Sequence, residues 1–296
     1  MKQKTDFCIR PLCSHIKGIK LTVKEKLKYL KENKDAIYII HYSCENLNDN
    51  NEGYSPRITS IAIIHVESDT IHSFSIHLVA EQMKIDRSEI KSKYDDIEKV
   101  MLEEFNDFIK NHQEGLWIHW NMSNINYGFQ AIEHRYKVLT GKEASKVSDL
   151  KKFNLSKMIL GIYGKDCVEH PRMPNFMKLN GGTHRDYLSG EEEVKAFENQ
   201  EYFKLHKSTI GKTNWFEMMY KKLQNRKIKT SKTNLPNKIS SFLEHPYIKF
   251  LGFIAVLFAL YKIGVTVYEK NYTENVIKEE TNKSAEQHNK YLERNK

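Results

Sequence analysis

Proline and glycine are scarce in this chain: six and thirteen among 296 residues. That scarcity excludes collagen-like repeats and low-complexity linker architectures, which need both residues at high density. Cysteine is scarcer still. The four cysteines, Cys8, Cys13, Cys44 and Cys167, form no paired framework, so a disulfide scaffold is excluded and a reducing compartment is expected. Cys8, Cys13 and His15 stand close enough to read as a metal knuckle, yet no second ligand pair follows at a matching spacing, so zinc is not expected. Residues 1 to 20 lack a continuous apolar run, so no secretory leader is expected. The chain shows no internal repeat. Its 40% apolar content is enough for a real core, which argues against global disorder.

Charge is present but unevenly placed. From Lys204 to Lys249 there are eleven Lys and Arg against two acids, Glu217 and Glu244. That local excess equals the net charge of the whole chain, +9, so the remainder is balanced and is not a basic nucleic-acid binder by bulk charge. The basic stretch leads into Phe250 to Tyr268, FLGFIAVLFALYKIGVTVY, whose one charge is Lys262. Its length matches a bilayer core at roughly 28 Å. Lys262 lies near enough to the end to snorkel, and Tyr261 and Tyr268 fit an interfacial belt. One transmembrane helix is therefore expected. The positive-inside rule puts the N-terminal part in the cytoplasm and the polar tail, expected to be unstructured, across the membrane. Lys221 to Lys249 would attract anionic lipid; nucleic acid is the other anionic partner open to that stretch.

Earlier in the chain the pattern alternates between strand and helix. Thr22 and Glu25 form a capping-box pair ahead of a helix over Val23 to Lys34. A β-branched run, Ile37 to Tyr42, predicts the first strand, ending at Ser43-Cys44-Glu45-Asn46. Arg57 to Val66 and Thr70 to Val79 predict two more, joined by a hairpin at Glu67-Ser68-Asp69. Ile97 to Asn111 repeats apolar residues at helical spacing. Leu116-Trp117-Ile118 predicts a fourth strand. The polar turn after it, from His119 and Asn121 to Asn126, sits where α/β folds place their sites. Each turn residue alone is better read as holding the turn. A helix then closes at Gly141. Val147 to Tyr163 reads as helix, His170 to Gly182 as a loop with a turn of helix around Phe176, and Glu191 to His206 and Thr209 to Leu223 as two more helices. Gly211-Lys212-Thr213 is not a phosphate loop, because His206 stands where its first glycine would be.

Three meandering strands, a helix, a strand and further helices are the element order of a ribonuclease H-like α/β fold, a mixed sheet with flanking helices, with a generic α+β domain as the alternative on order alone. The motifs also resemble those of the proofreading-type (DEDD) 3′–5′ exonucleases, over roughly Ala36 to Phe203. That family carries Asp-x-Glu at the end of the first strand, His-Asn and then an Asp after the fourth, and His-x4-Asp on a late helix. Here Ser43-Cys44-Glu45 stands at the first motif. His119-Trp120-Asn121 stands at the second, with Asn124 or Asn126 at the acid. His184-Arg185-Asp186-Tyr187-Leu188-Ser189 stands at the third, with Ser189 at the acid. Three of the four acids are replaced, while Glu45 and His184 remain. The resemblance implies two-metal phosphodiester hydrolysis with Mg²⁺ or Mn²⁺ wherever the site is active.

Two readings stay open at this stage. In one, the metals are lost and the domain binds nucleic acid or protein. In the other, the acids have moved: Glu45 and Asp186 hold metal, with His119, Asn121, Asn124, His184 and Glu192 shaping the site, and Glu191, Glu193 and Asp149 in reserve. The glutamate triplet equally suits the first turn of a helix. The organisation expected is an N-terminal extension (1–35), the exonuclease-like domain (36–206), a basic juxtamembrane segment (207–249), the transmembrane helix (250–268) and a polar tail (269–296).

Overall fold

β-Branched and aromatic side chains dominate three early segments, and in the computed structural model these become neighbouring strands. Ile37–Cys44 (β1) pairs antiparallel with Ile58–His65 (β2), and β2 pairs antiparallel with Thr70–Ser75 (β3). Leu116–His119 (β4) runs parallel to β1 on its other side, and Lys152–Asn154 (β5) runs parallel to β4. The sheet order is β3-β2-β1-β4-β5. The structure describes residues 21–46, 55–123, 125–233 and 246–294, and the chain divides into two units after Ser231. Cys8, Cys13, His15, the Leu47–Tyr54 part of the first loop and Asn124 lie outside the described residues.

Strand β1 is buried along its whole length, so both faces of the sheet carry a layer. Tyr38, Ile40 and Tyr42 pack with Ile76–Gln82 (α2), Tyr94–Asn111 (α3) and Phe129–Thr140 (α4). Ile37 and Ile39 pack on the opposite face with Val23–Glu32 (α1), Leu155–Tyr163 (α5) and Tyr202–Gln224 (α8). The period-two alternation of a strand produces this division. Helix α1 starts with the expected capping box, Thr22 with Glu25. Between α3 and α4, the fully buried Glu98 accepts from Arg135 at 2.5 Å and from the Ile58 amide at 2.7 Å, tying both helices to β2.

Several elements differ from the sequence expectation, each for a local reason. The third strand stops at Ser75. Ile76, Val79 and Ala80 then follow at helical rather than alternating spacing, and α2 buries all three. Within Val147–Tyr163, only the last part is α-helix. Lys152–Asn154 is a sheet strand too short to show a period, and Asn154 caps α5 by accepting from Lys157. The loop expected at His170–Gly182 holds a full helix, Arg172–Asn180 (α6). It begins after Pro171 and buries Phe176, Met177 and Asn180; Gly181, at φ 133°, ends it. Pro174 falls in its first turn, where a missing amide costs nothing. Gly190–Glu198 (α7) and α8 are separated by Gln200 in the left-handed region, φ 60°.

Helix α8 runs unbroken through the expected boundary at His206 and packs on β1 and β2, so it belongs to the sheet domain. Its late lysines are engaged there. Lys221 pairs with Asp69 and Glu217, and Lys222 donates to the Asn180 carbonyl. In the second unit, Pro246–Arg294 (α9) is one helix. Within its segment Pro246–Asn275 an 18-residue window has a mean hydropathy of 2.1 and no buried share, and the segment is long and apolar enough to cross a membrane. The polar tail continues the same helix to Arg294 instead of being unstructured, and no glycine or proline interrupts it after Gly264.

Candidate functional site

The carboxyl end of β1 meets two other elements: the turn that follows β4, and the middle of α8. Here the alternation of β1 turns His41 and Ser43 toward α8. His41 is buried, its ring edge-on to Phe216 at 5.2 Å between centroids. Its Nδ1 lies 3.1 Å from the Tyr127 hydroxyl, which also donates to the Tyr42 carbonyl at 3.1 Å. Tyr127 stacks on Tyr42 at 4.6 Å, and the Tyr42 hydroxyl accepts from the Gly128 amide. These bonds fix the entry of α4 against β1. Burial, reinforced by the Lys212 charge, holds His41 well below its ordinary pKa, so the ring is neutral. Burial pushes the Tyr127 phenol well up, and it too is neutral.

The charged groups at this corner are already paired to each other. Lys212 on α8 is buried, its side chain 6% exposed, and donates to Glu193 Oε1 of α7 at 2.7 Å. Ser208 donates to the same oxygen at 3.2 Å, and the Lys212 ammonium lies 5.2 Å from the Tyr187 ring centroid. One turn away, Thr209 and Ser60 share a 2.6 Å hydrogen bond between α8 and β2. The Ser43 hydroxyl and His41 Nε2 have no hydrogen-bond partner among the described residues. The corner is thus packed with neutral donors and one internal ion pair. Among the described residues, no three His, Cys, Asp or Glu side chains gather in a way that could hold a metal ion.

The residues singled out from the sequence are dispersed around this corner. Glu45 lies past a shift in the β1–β2 register between Ser43 and Cys44. Such an irregularity re-aims the next side chain. Glu45 accepts from the Arg57 amide at 3.4 Å and lines a separate cleft with Lys91, Glu198 and Tyr202. Asp186 pairs with Lys207 at 2.8 Å and with Arg185 at 3.4 Å; the bond from Lys207 chiefly holds its carboxyl below the usual range. Glu192 completes a capping box with Ser189 at the start of α7, accepting from its amide at 2.7 Å, which lowers its pKa. Asp149 is exposed and pairs with Lys152 at 2.9 Å. Glu191 is exposed at the start of α7.

His184 is half-buried and rests on Gly211 of α8, so closely that a Cβ at position 211 would overlap its ring. Burial lowers its pKa. The helix that crosses β1 and β2 is α8, and it carries its own His-x4 spacing, His206-Lys207-Ser208-Thr209-Ile210-Gly211. This run ends in glycine where the motif has an acid, so nothing in the sequence marks it. His41 was not singled out, although it alternates with Ser43, which stands at the first motif, and alternate polar residues inside a β-branched strand are a signal for a buried polar face. Glu193 stood among the reserve acids, but its pairing with Lys212 and the burial of Lys212 and Tyr127 left no such signal, since they depend on tertiary partners.

The turn after β4 has a different character. Asn121 adopts φ 55°, a left-handed conformation that Asn tolerates, and its side-chain oxygen accepts from Asn154 at 3.2 Å. Asn154 also donates to Ser123 at 3.1 Å. These bonds join the ends of β4 and β5, which is the turn-holding role. Asn126 is exposed. His119 is buried, and its Nδ1 accepts from the Met122 amide at 3.0 Å. Burial, with Lys152 and Lys157 nearby, pushes its pKa down to about 3. His119 lines an open groove of about 420 Å³ at the carboxyl ends of β4 and β5.

No family model, curated protein or solved structure matches the chain. Its function therefore has to be argued from the geometry of these two regions.

Proposed function

We propose that the chain is a membrane-anchored protein with a ribonuclease H-like, exonuclease-type domain that engages nucleic acid without two-metal hydrolysis. The sheet order β3-β2-β1-β4-β5, three strands antiparallel and two parallel, supports the fold relationship. The observation that carries the functional reading is the Lys212–Glu193 pair. In the exonucleases that the motifs resemble, carboxylates from the first strand, the turn after the fourth and a late helix hold the ions. At the meeting of those three elements this chain has His41, Ser43, Tyr127 and a lysine ammonium already 2.7 Å from the nearby carboxylate. A divalent pair needs several free carboxylate oxygens and is repelled by a fixed cation, so this donor set does not fit Mg²⁺ or Mn²⁺. Glu45, Asp186 and Glu192 are each turned to other partners.

The anchor is α9. Its basic approach and balanced tail, with six acids and six Lys or Arg after Tyr268, favour a single pass with the sheet domain in the cytoplasm. The test begins with fractionation: the full-length protein is expected with membranes, and recovery without detergent would remove the anchor from the reading. The detergent-extracted protein is then offered labelled single-stranded DNA, duplex DNA and RNA with Mg²⁺ or Mn²⁺. Binding without product is expected. Metal-dependent cleavage lost in Glu45→Gln would establish relocated carboxylates instead. Neither binding nor cleavage would leave a membrane-tethered protein-interaction module.

A further inference from the structure

The groove at the ends of β4 and β5 is built unlike the sealed corner. Lys26 of α1, Lys152 of β5 and Lys157 of α5 line it, against one carboxylate, Asp149, which is committed to Lys152. Lys26 and Lys157 have no ion pair among the described residues. Met122, Met158 and Phe129 supply its apolar wall. Its volume, about 420 Å³, falls in the range of small-ligand sites.

The second, independent observation is the tautomer of His119. An amide N–H can only donate, so the Met122 bond makes His119 Nδ1 the acceptor. The proton of the neutral ring is therefore on Nε2. That N–H has no protein acceptor among the described residues, and although the residue is only 3% exposed, this nitrogen is not among the polar atoms sealed from solvent, so it opens on the groove. A donor held this way is costly unless a ligand or water accepts its proton. Because the ring stays neutral down to about pH 3, it offers a directional donor and not a charge.

We infer that this groove binds the phosphate end of a nucleotide, with Lys26, Lys152 and Lys157 supplying positive charge and His119 Nε2–H donating a hydrogen bond. Methionine side chains adapt to different shapes, so the wall at Met122 and Met158 gives little discrimination among bases. The ligand is either a free nucleotide or the phosphorylated end of a strand, since both present the same group. The inference stands apart from the fold relationship. Metal-dependent cleavage would overturn the preceding reading and leave this one intact.

The full-length protein in detergent is titrated with nucleoside 5′-monophosphates, the matching nucleosides, and a short single-stranded oligonucleotide with and without a 5′-phosphate. Binding is followed by calorimetry at low and moderate salt. Monophosphates are expected to bind at least about tenfold more tightly than nucleosides, and more weakly as salt rises. Lys26→Gln with Lys157→Gln should weaken binding about tenfold or more. Both lysines reach solvent, so this variant is expected to fold normally, which thermal melting checks. A phosphate preference confined to mononucleotides identifies a free nucleotide as the ligand. One shared by the oligonucleotide identifies a strand end. Equal binding of nucleoside and nucleotide, no binding of either, or binding untouched by the double variant would overturn the proposal.

Discussion

Two regions at the carboxyl edge of one sheet have opposite characters. At the end of β1, His41, Tyr127, Lys212 and Glu193 fill the space between the strand, the start of α4 and α8: Tyr127 bonds His41, Lys212 pairs with Glu193, and the leftover His41 Nε2 and Ser43 hydroxyl are sealed from solvent. At the ends of β4 and β5, the edge is open, lined by three lysines and one buried histidine whose remaining donor has no protein acceptor among the described residues. The difference teaches that a fold's usual site and its usable site need not coincide. A sheet edge becomes a binding site where polar groups face open space, and becomes structure where they are paired with each other or packed away from solvent. Here the corner that the motifs point to has become structure.

The largest expected effect comes from breaking the pair that seals the corner. Lys212→Met leaves Glu193, its side chain only 14% exposed, without its cation. A half-removed buried pair costs about 3–5 kcal/mol, mostly for the stranded charge. Urea denaturation of the extracted protein should show a loss near the lower end of that range, about 3 kcal/mol, given the residual exposure of Glu193. Lys212→Met with Glu193→Gln should recover most of it. A loss below about 1 kcal/mol would mean the pair behaves as a surface salt bridge, and the corner would no longer contrast with the groove.

That sealing was hard to read from sequence for a physical reason. Strands β1, β2 and β4 and helices α1 and α3 were legible because long periodic runs carry their own burial pattern. Strand β5 has three residues and no period, and α2 hides inside an apolar run that opens as strand β3. The site was legible only in part. Spacing alone put Glu45 at the end of β1, but the register shift after Ser43 re-aims it, and no local residue announces such a shift. His184 was matched by spacing to a motif on a late helix, yet it lies ahead of α7 and packs on Gly211 of α8. A buried lysine such as Lys212 looks like any other surface lysine until its carboxylate partner, nineteen positions away in the chain, folds against it.

The contact of His184 with Gly211 gives a sharper and smaller test. Gly211 lies inside α8, where alanine is intrinsically better by about 1 kcal/mol. A Cβ there would overlap the His184 ring, and overpacking of this kind costs about 1–3 kcal/mol. Gly211→Ala should therefore destabilise the protein, or gain nothing, despite the better helix propensity. In a His184→Ala background the same change should stabilise by up to about 1 kcal/mol. This reversal of sign, read as a coupling energy by denaturation of the four proteins, would show that the ring occupies the place a side chain at 211 would take. Additive effects would mean the ring moves aside freely, and the corner could then admit an acid at position 211.

The smallest effect separates the two regions by pH. His206 on α8 is pushed down to about 4 by burial and by His77 beside it, whereas His119 is pushed down to about 3. Both titrate near 6.5 in the unfolded chain. A folded pKa below the unfolded one means that the unfolded chain takes up the proton first. The stability each ring contributes is complete above about pH 6.5. It is lost as pH falls, until the folded pKa is passed. Each histidine should cost about 1 kcal/mol per pH unit within its window. Melting curves from pH 7 to pH 4 should therefore show a steady fall, reduced by His206→Gln and by His119→Gln separately. The two rings should respond differently to a bound phosphate. An anion in the groove favours protonated His119 and raises its pKa, so its part of the slope should shrink when a nucleoside monophosphate is added, while the His206 part stays unchanged. An equal response of both would mean that the anion acts on the whole domain and not through the groove, and the contrast between the two regions would fail.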